Sequence, residues 1–247
     1  MSDRIVTAAV VIIGNEILSG RTQDTNLRDI SIALGGWGIR VMEARVIPDI
    51  ESTIVSVVND VRARHDYVFT TGGIGPTHDD ITAESIAKAF GVKLIEHPGI
   101  AAFIRTREAV PEVMTARLRM AMVPEGAGLI DNLTGGPPGF FIGNVYVMAG
   151  IPTVMRAMLG TLASKLTGGA IVQSRSITAY LGESTIAKAL SDIQTEHPTV
   201  DIGSYPFTRD GRYGTSLVAR GTDEKILRDV VEKIKALIVA AGETPIE

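Results

Sequence analysis

The sequence predicts an α/β fold, a mostly parallel sheet covered by helices, followed by a small α+β domain. Three observations predict it. Val- and Ile-rich segments alternate with segments of helical period from Ile5 to Gly91, the order that builds a parallel sheet. The first of them, Ile5 to Ile13, is apolar on both faces, as expected of a central parallel strand. Thr167-Gly168-Gly169 then interrupts the pattern, so residues 1–167 are expected to form one domain and residues 168–247 a second.

The elements follow in order. After the first strand, a helix is expected from about Asp24, with Leu27, Ile30 and Leu34 on one face and Gly35-Gly36 as its stop. Ile39 to Ile47 reads as the second strand, and Ile54, Val57, Val58 and Val61 space out the next helix. Tyr67 to Thr71 is the third strand. The helix after it carries Ala83, Ile86, Ala87 and Phe90 on one stripe and ends at Gly91. Lys93 to Met122 reads as mostly helical, with a basic face formed by Arg105, Arg107, Arg117 and Arg119. Gly135 to Gly139 is too rich in turn residues for any element; Tyr146 to Met148 resumes as strand, and a helix starts near Pro152. Beyond the boundary, Ile171 to Ala179, Val200 to Ser204 and Tyr213 to Arg220 read as strands. Ser184 to Gln194 and Thr222 to Ala241 read as helices.

Composition narrows the function. Among 247 residues, 24 Lys and Arg stand against 28 Asp and Glu, a net charge of −4, which argues against a nucleic-acid grip built on a basic surface. The apolar runs Val6 to Ile13 and Val145 to Ile151 are far shorter than the roughly 20 residues that span a bilayer. Met1-Ser2-Asp3-Arg4 leads directly into a strand without a signal-peptide core, so a cytoplasmic protein with no membrane partner is expected. There is no cysteine, which excludes disulfides, thiolate metal sites and cysteine nucleophiles.

The chemistry concentrates in Thr70-Thr71-Gly72-Gly73-Ile74-Gly75-Pro76-Thr77-His78-Asp79-Asp80, between a buried strand and a helix. In an open parallel sheet, ligands collect at the carboxyl ends of strands. Gly72, Gly73 and Gly75 permit positive φ and remove Cβ atoms, so main-chain N–H groups can approach an anion. A phosphate-bearing small molecule is the expected guest; a sharp turn needing glycine for geometry alone explains the same residues. The loop is neither G-x-x-x-x-G-K-[ST] nor G-x-G-x-x-G. Asp79 and Asp80 are expected at the helix start, where one carboxylate caps amides and the other holds a divalent metal beside the phosphates. His78 is either a ligand or an ordinary surface residue. A second cluster, Gly14-Asn15-Glu16-Ile17-Leu18-Ser19-Gly20, leads to Asp24-Thr25-Asn26. Asp24 is formally a helix cap and Asn26 a polar first-turn residue. Taken together, Glu16, Asp24, Asp79 and Asp80 are expected to gather around one anion cradle as a metal-dependent phosphate site.

These residues resemble the MoaB/Mog molybdopterin-binding domain family, in the form found at the N-terminus of CinA proteins. Its G-[DN]-E-[IL]-L-x-G…D-T-N pattern stands at Gly14 to Gly20 and Asp24 to Asn26, and its T-G-G-[LI]-G-P-T-x-D-D pattern at Thr71 to Asp80. Arg119, Pro124, Gly126, Ala127, Asn132 and Pro138-Gly139-Phe140 match its spacing. Ile202-Gly203-Ser204-Tyr205-Pro206 resembles the molybdopterin-binding region of FAD synthases. The resemblance implies a three-layer α/β domain, a homo-oligomer, and divalent-metal-dependent (Mg, Mn or Co) cleavage of nucleotide pyrophosphates such as ADP-ribose or FAD. It implies ligand contact from Gly14, Glu16, Thr71, Gly72, Gly73, Gly75 and Thr77, metal or water at Asp79 and Asp80, and a catalytic part for Asp24. Where the family reads L-P-G-[VI]-P-x-E-M, this chain reads Met148 to Met155 with Val154 in the acidic position. Two alternatives therefore stand beside hydrolysis: molybdopterin binding or adenylylation, and a module that binds nucleotide or pterin without turnover. Neither deamidation nor FAD synthesis is expected of residues 1–247, which carry no segment resembling those domains.

Overall fold

The computed structural model describes residues 4–247, so the expectation placed on Met1 to Asp3 lies outside the described residues. The chain divides into two compact units between Ala170 and Ile171.

In the first unit, β1 (Val6–Ile13) lies between β2 (Ile39–Ile47) and β3 (Tyr67–Thr71), parallel to both. Two helices, α1 (Asn15–Leu18) and α2 (Asn26–Gly36), connect β1 to β2, and α3 (Glu51–Arg64) connects β2 to β3. After β3 come α4 (Thr82–Phe90), β4 (Leu94–Glu96), α5 (Pro98–Arg105), α6 (Pro111–Leu118) and β5 (Met122–Pro124). β6 (Gly128–Ile130), β7 (Gly139–Ile142), β8 (Val145–Met148) and α7 (Pro152–Gly160) complete the unit. The main sheet runs β2-β1-β3-β8-β7-β6; β8 is parallel to β3, and β7 and β6 are antiparallel additions.

The alternation of side chains along β1 explains its two-sided apolarity. Val11 and Ile13 pack with Ile54, Val58 and Ile86 of α3 and α4 on one face, while Val10 and Ile12 pack with Ile30, Leu34, Met155 and Met158 of α2 and α7 on the other. The three layers follow from these two cores. The expected stripe on α4 is present, and Gly91 ends the helix in the left-handed region at φ 66°.

The structure corrects several expectations. α2 begins at Asn26 rather than Asp24 and continues through Gly35 and Gly36; the left-handed residue is Gly38, φ 75°, where a Cβ would strike the Gly169 carbonyl. Gly169 N–H donates to Gly38 O at 2.9 Å, which ties that glycine to the first unit. Gly139 belongs to a strand, not a turn, because β7 and β8 approach too closely there for a side chain. The basic face on α5 and α6 is tied down: Arg105 pairs with Glu96, Arg107 donates to Gly135 O, and Arg117 donates to Arg107 O.

The second unit contains β9 (Gln173–Ala179), α8 (Glu183–Glu196), β10 (Asp201–Arg209), β11 (Arg212–Gly221) and α9 (Glu224–Ala240), with sheet order β10-β11-β9, all antiparallel. β10 reaches Arg209 rather than Ser204 because Asp210 (φ 52°) and Gly211 (φ 74°) form a tight hairpin turn of the kind that matches strand twist. Ile177, Leu217 and Ala219 pack against Leu227, Val230, Ile234 and Ile238 of α9. Among the described residues no helix is long and apolar enough to cross a membrane.

Candidate functional site

The carboxyl ends of β1, β3 and β8 lie side by side in the sheet, and the loops leaving them form the site. β3 exits through Gly72 (φ 101°) and Gly73 (φ 66°). A Cβ on Gly72 would strike the Ile13 carbonyl of β1, and one on Gly73 would strike the Thr82 hydroxyl, so only glycine passes at either position. Gly72 N–H donates to Met148 O at 3.2 Å. Thr82 ties the other side: its hydroxyl donates to Gly72 O at 3.0 Å and its N–H to Gly73 O at 3.0 Å. Glycine is thus needed for the turn itself. The same geometry leaves the successive N–H groups of Gly73, Ile74 and Gly75 without an acceptor among the described residues, and successive free amides are the material of an anion site.

The acids are arranged differently from the sequence expectation. α4 starts at Thr82, so neither Asp79 nor Asp80 caps it. Asp80 folds back into the bend, where Oδ2 accepts from Thr77 N at 2.8 Å and from the Thr77 hydroxyl. It also lies 2.6 Å from the place a Cβ on Gly75 would occupy. Asp79 faces water with its side chain 62% exposed. Proximity to the Thr77 hydroxyl first, then its own amide and the neighbouring His78, lower its carboxyl below the usual carboxylate range against a small burial effect, although the hydroxyl proton itself is directed to Asp80. His78 is a surface residue, 97% exposed. Asp24 accepts from Asn26 N at 3.2 Å and Leu27 N at 3.1 Å, capping α2 from one residue before the formal cap, so both its oxygens are engaged in structure. The Glu16 carboxylate is exposed and lies over Gly14. Among the described residues no three His, Asp or Glu side chains converge as metal ligands. Val154 is half-buried against the core beneath α2 and α7.

Two residues matter more than the sequence suggested. Asn26 is buried at 5% exposure, and its Nδ2 donates to Gly150 O at 2.7 Å across the start of α2. A Cβ on Gly150 would stand 3.3 Å from Gly72 Cα, so Asn26 holds the loop after β8 against the glycine bend. Asp49, just past β2, accepts from Asn15 N at 2.9 Å and fixes the loop after β1. The Pro48-Asp49 pair at the end of a strand was the available signal for it.

Residues 9–168 match the family described as "Probable molybdopterin binding domain", and residues 171–244 match "FAD synthase, middle domain". A protein of Archaeoglobus fulgidus is 30% identical over 234 residues, covering 93% of this chain and 96% of its own length. A CinA-like protein of Desulfosudis oleivorans is 33% identical over 212 residues, and the chain spans about half of that protein (51%). The crystal structure of CinA from Thermoplasma acidophilum is similar with a TM-score of 0.59 at 32% identity, covering 64% of this chain and 96% of that one. The chain therefore belongs to the MoaB/Mog-like molybdopterin-binding domain family, in its CinA-like form with an FAD synthase middle domain following.

Proposed function

We propose that the crevice binds the diphosphate of a nucleotide pyrophosphate, of the ADP-ribose or FAD type, and cleaves it with the help of a divalent cation. The observation that carries this reading is the run of unpaired N–H groups at Gly73, Ile74 and Gly75 at the end of a parallel strand. Mg²⁺ is usually held by one or two carboxylates plus substrate phosphates rather than by an all-protein cage. The residues present suit a cation that arrives with its ligand: Asp79, exposed and held ionised, is the available protein donor. A cation bound there would neutralise phosphate charge and acidify a water. The chain's own contribution is to orient the diphosphate on the amides, with Asp80 keeping Thr77 and the bend in shape.

The test is calorimetry and product analysis with ADP-ribose and FAD, each with Mg²⁺, Mn²⁺ and Co²⁺. Metal-dependent cleavage that drops at least about tenfold in Asp79→Asn, with folding unchanged, supports the reading. Activity unaffected in that variant rejects the role of Asp79. Binding without cleavage selects a second reading, a nucleotide- or pterin-binding module, which the apolar Val154 favours. Tight molybdopterin binding with no nucleotide binding moves the ligand to the pterin.

A further inference from the structure

The antiparallel sheet of the second unit has two unlike faces. Ile177, Leu217 and Ala219 pack toward α9, and Ile202, the partner of Ala219 in the sheet, packs with them. Side chains alternate along a strand, so Tyr205, Phe207 and Arg209 of β10 stand on the opposite face, with Arg212 and Arg220 of β11. Tyr205 and the three arginines are exposed.

The rings and guanidinium groups of this face are in contact with one another. Arg212 lies 4.1 Å over the Tyr180 ring, Tyr180 meets Phe207 edge-on at 5.8 Å, and Arg209 lies 5.6 Å over Phe207. Two residues back along β10, Arg220 lies 5.9 Å over the Tyr205 ring and donates to its hydroxyl at 3.3 Å. Glycines make the seats: a Cβ on Gly203 would strike the Tyr205 ring, and one on Gly214 the Phe207 ring, so both rings lie across the sheet. The outward strand positions carry three arginines against one acid, Asp201. The net charge of −4 is a whole-chain sum and does not describe this face.

We propose that this face binds single-stranded nucleic acid, with bases stacking on Tyr205 and Phe207 and phosphates meeting Arg209, Arg212 and Arg220. Every base has a π-face, and aromatic side chains set among arginines on a sheet hold unpaired bases in this way. A duplex keeps its bases stacked on each other and offers the face only phosphates. An acidic peptide would use the arginines and leave the rings without a role. A small ligand needs a concave site that buries most of its surface, whereas this is an open sheet face. The proposal is independent of the phosphate reading of the Gly73 to Gly75 amides.

The test is fluorescence anisotropy of a labelled oligothymidylate of about 12 nucleotides, titrated with the unaltered full chain at several salt concentrations. Micromolar binding at about 50 mM salt is expected, with a slope of log affinity against log salt of about −2, from about −0.7 for each of three phosphates. Tyr205→Ala is expected to weaken binding about fivefold or more and Tyr205→Phe to keep most of it. Arg212→Gln is expected to make the salt slope shallower by about 0.7. Both positions are exposed, so the urea midpoints stay near that of the unaltered chain. No binding at about 100 μM protein, equal affinity for a duplex of the same length, or no loss in Tyr205→Ala overturns the proposal. So does full displacement by polyglutamate of equal charge, which would make the face an acidic-peptide surface, or by ADP-ribose, which would put the strand in the crevice of the first unit.

Discussion

Replacing Thr70 with valine should stabilise the protein, and the size of the gain can be worked from the sheet. Thr70 is fully buried and its hydroxyl has no partner. It pairs with Val11 of β1 and Val147 of β8, both members of the core beneath α3 and α4. Valine keeps the β-branch, so no rotamer or strand preference is lost. Removing an unpaired buried hydroxyl relieves about 1–3 kcal/mol on scales drawn from protein variants, and a buried methyl adds up to about 0.8 kcal/mol. A gain of about 1–2 kcal/mol is expected after imperfect fit is allowed for, which is about 2–8 °C in Tm at this chain length. Urea titration followed by fluorescence of Trp37, the single tryptophan and part of the first unit, reads the change directly. The reverse substitution one strand away, Val147→Thr, should lose about 1–3 kcal/mol by burying a new unpaired hydroxyl. A Thr70→Val protein that is destabilised by more than about 0.5 kcal/mol at constant m would show that the hydroxyl is satisfied and sink the reasoning.

Three further outcomes are expected. Gly72→Ala forces a Cβ against the Ile13 carbonyl at φ 101°; it should cost about 3 kcal/mol or more and abolish phosphate binding, checked by urea titration and calorimetry, and a mild effect would mean that β3 can leave the sheet by another route. Asp66 accepts from Thr7 N at 2.8 Å and from its hydroxyl at 3.1 Å. These bonds, the Thr7 amide first, hold its carboxyl below the ordinary aspartate range. The stabilisation is thus present above the unfolded pKa and lost as pH falls through the lower folded one. Asp66→Asn should remove about 1 kcal/mol together with part of the acid slope of the urea midpoint between about pH 5 and 2. Asp80→Asn keeps an oxygen for Thr77 N but removes a charge beside the bend; metal-free pyrophosphate should bind about fivefold tighter, since two unit charges about 4 Å apart repel by about 1 kcal/mol in water, and unchanged affinity would place the phosphate elsewhere.

What was legible in the sequence depended on how many residues carried each signal. β1, β3 and α4 announced themselves because their apolar residues repeat over enough positions to fix a period and a face. β4, β5 and β6, with three residues each, and β7, with four, offer no period, and they are strands only because neighbours accept them. The glycine bend was visible because Gly72 and Gly73 are demanded by local φ. Asp80 was misplaced because its direction is set by a partner that composition does not name, a threonine amide three residues back, whereas Asp24 caps the first amides of α2 as its place before that helix implied. Asn26 was read as an ordinary polar residue because its partner, Gly150, is 124 residues away.

The turn geometry and the binding reading have one cause. Two glycines in the left-handed region let β3 cross in front of the Ile13 carbonyl, and Thr82 then takes the Gly72 and Gly73 carbonyls into the first turn of α4. With those carbonyls drawn toward the helix, the next amides turn away from it and meet no acceptor among the described residues. Unpaired main-chain donors that are partly shielded from water are expensive to keep, and the chain supplies an internal carboxylate, Asp80, only to Thr77. An anion that pairs with Gly73, Ile74 and Gly75 would remove that cost while standing beside the charge of Asp80. That is the physical reason why a cation would be expected to accompany it.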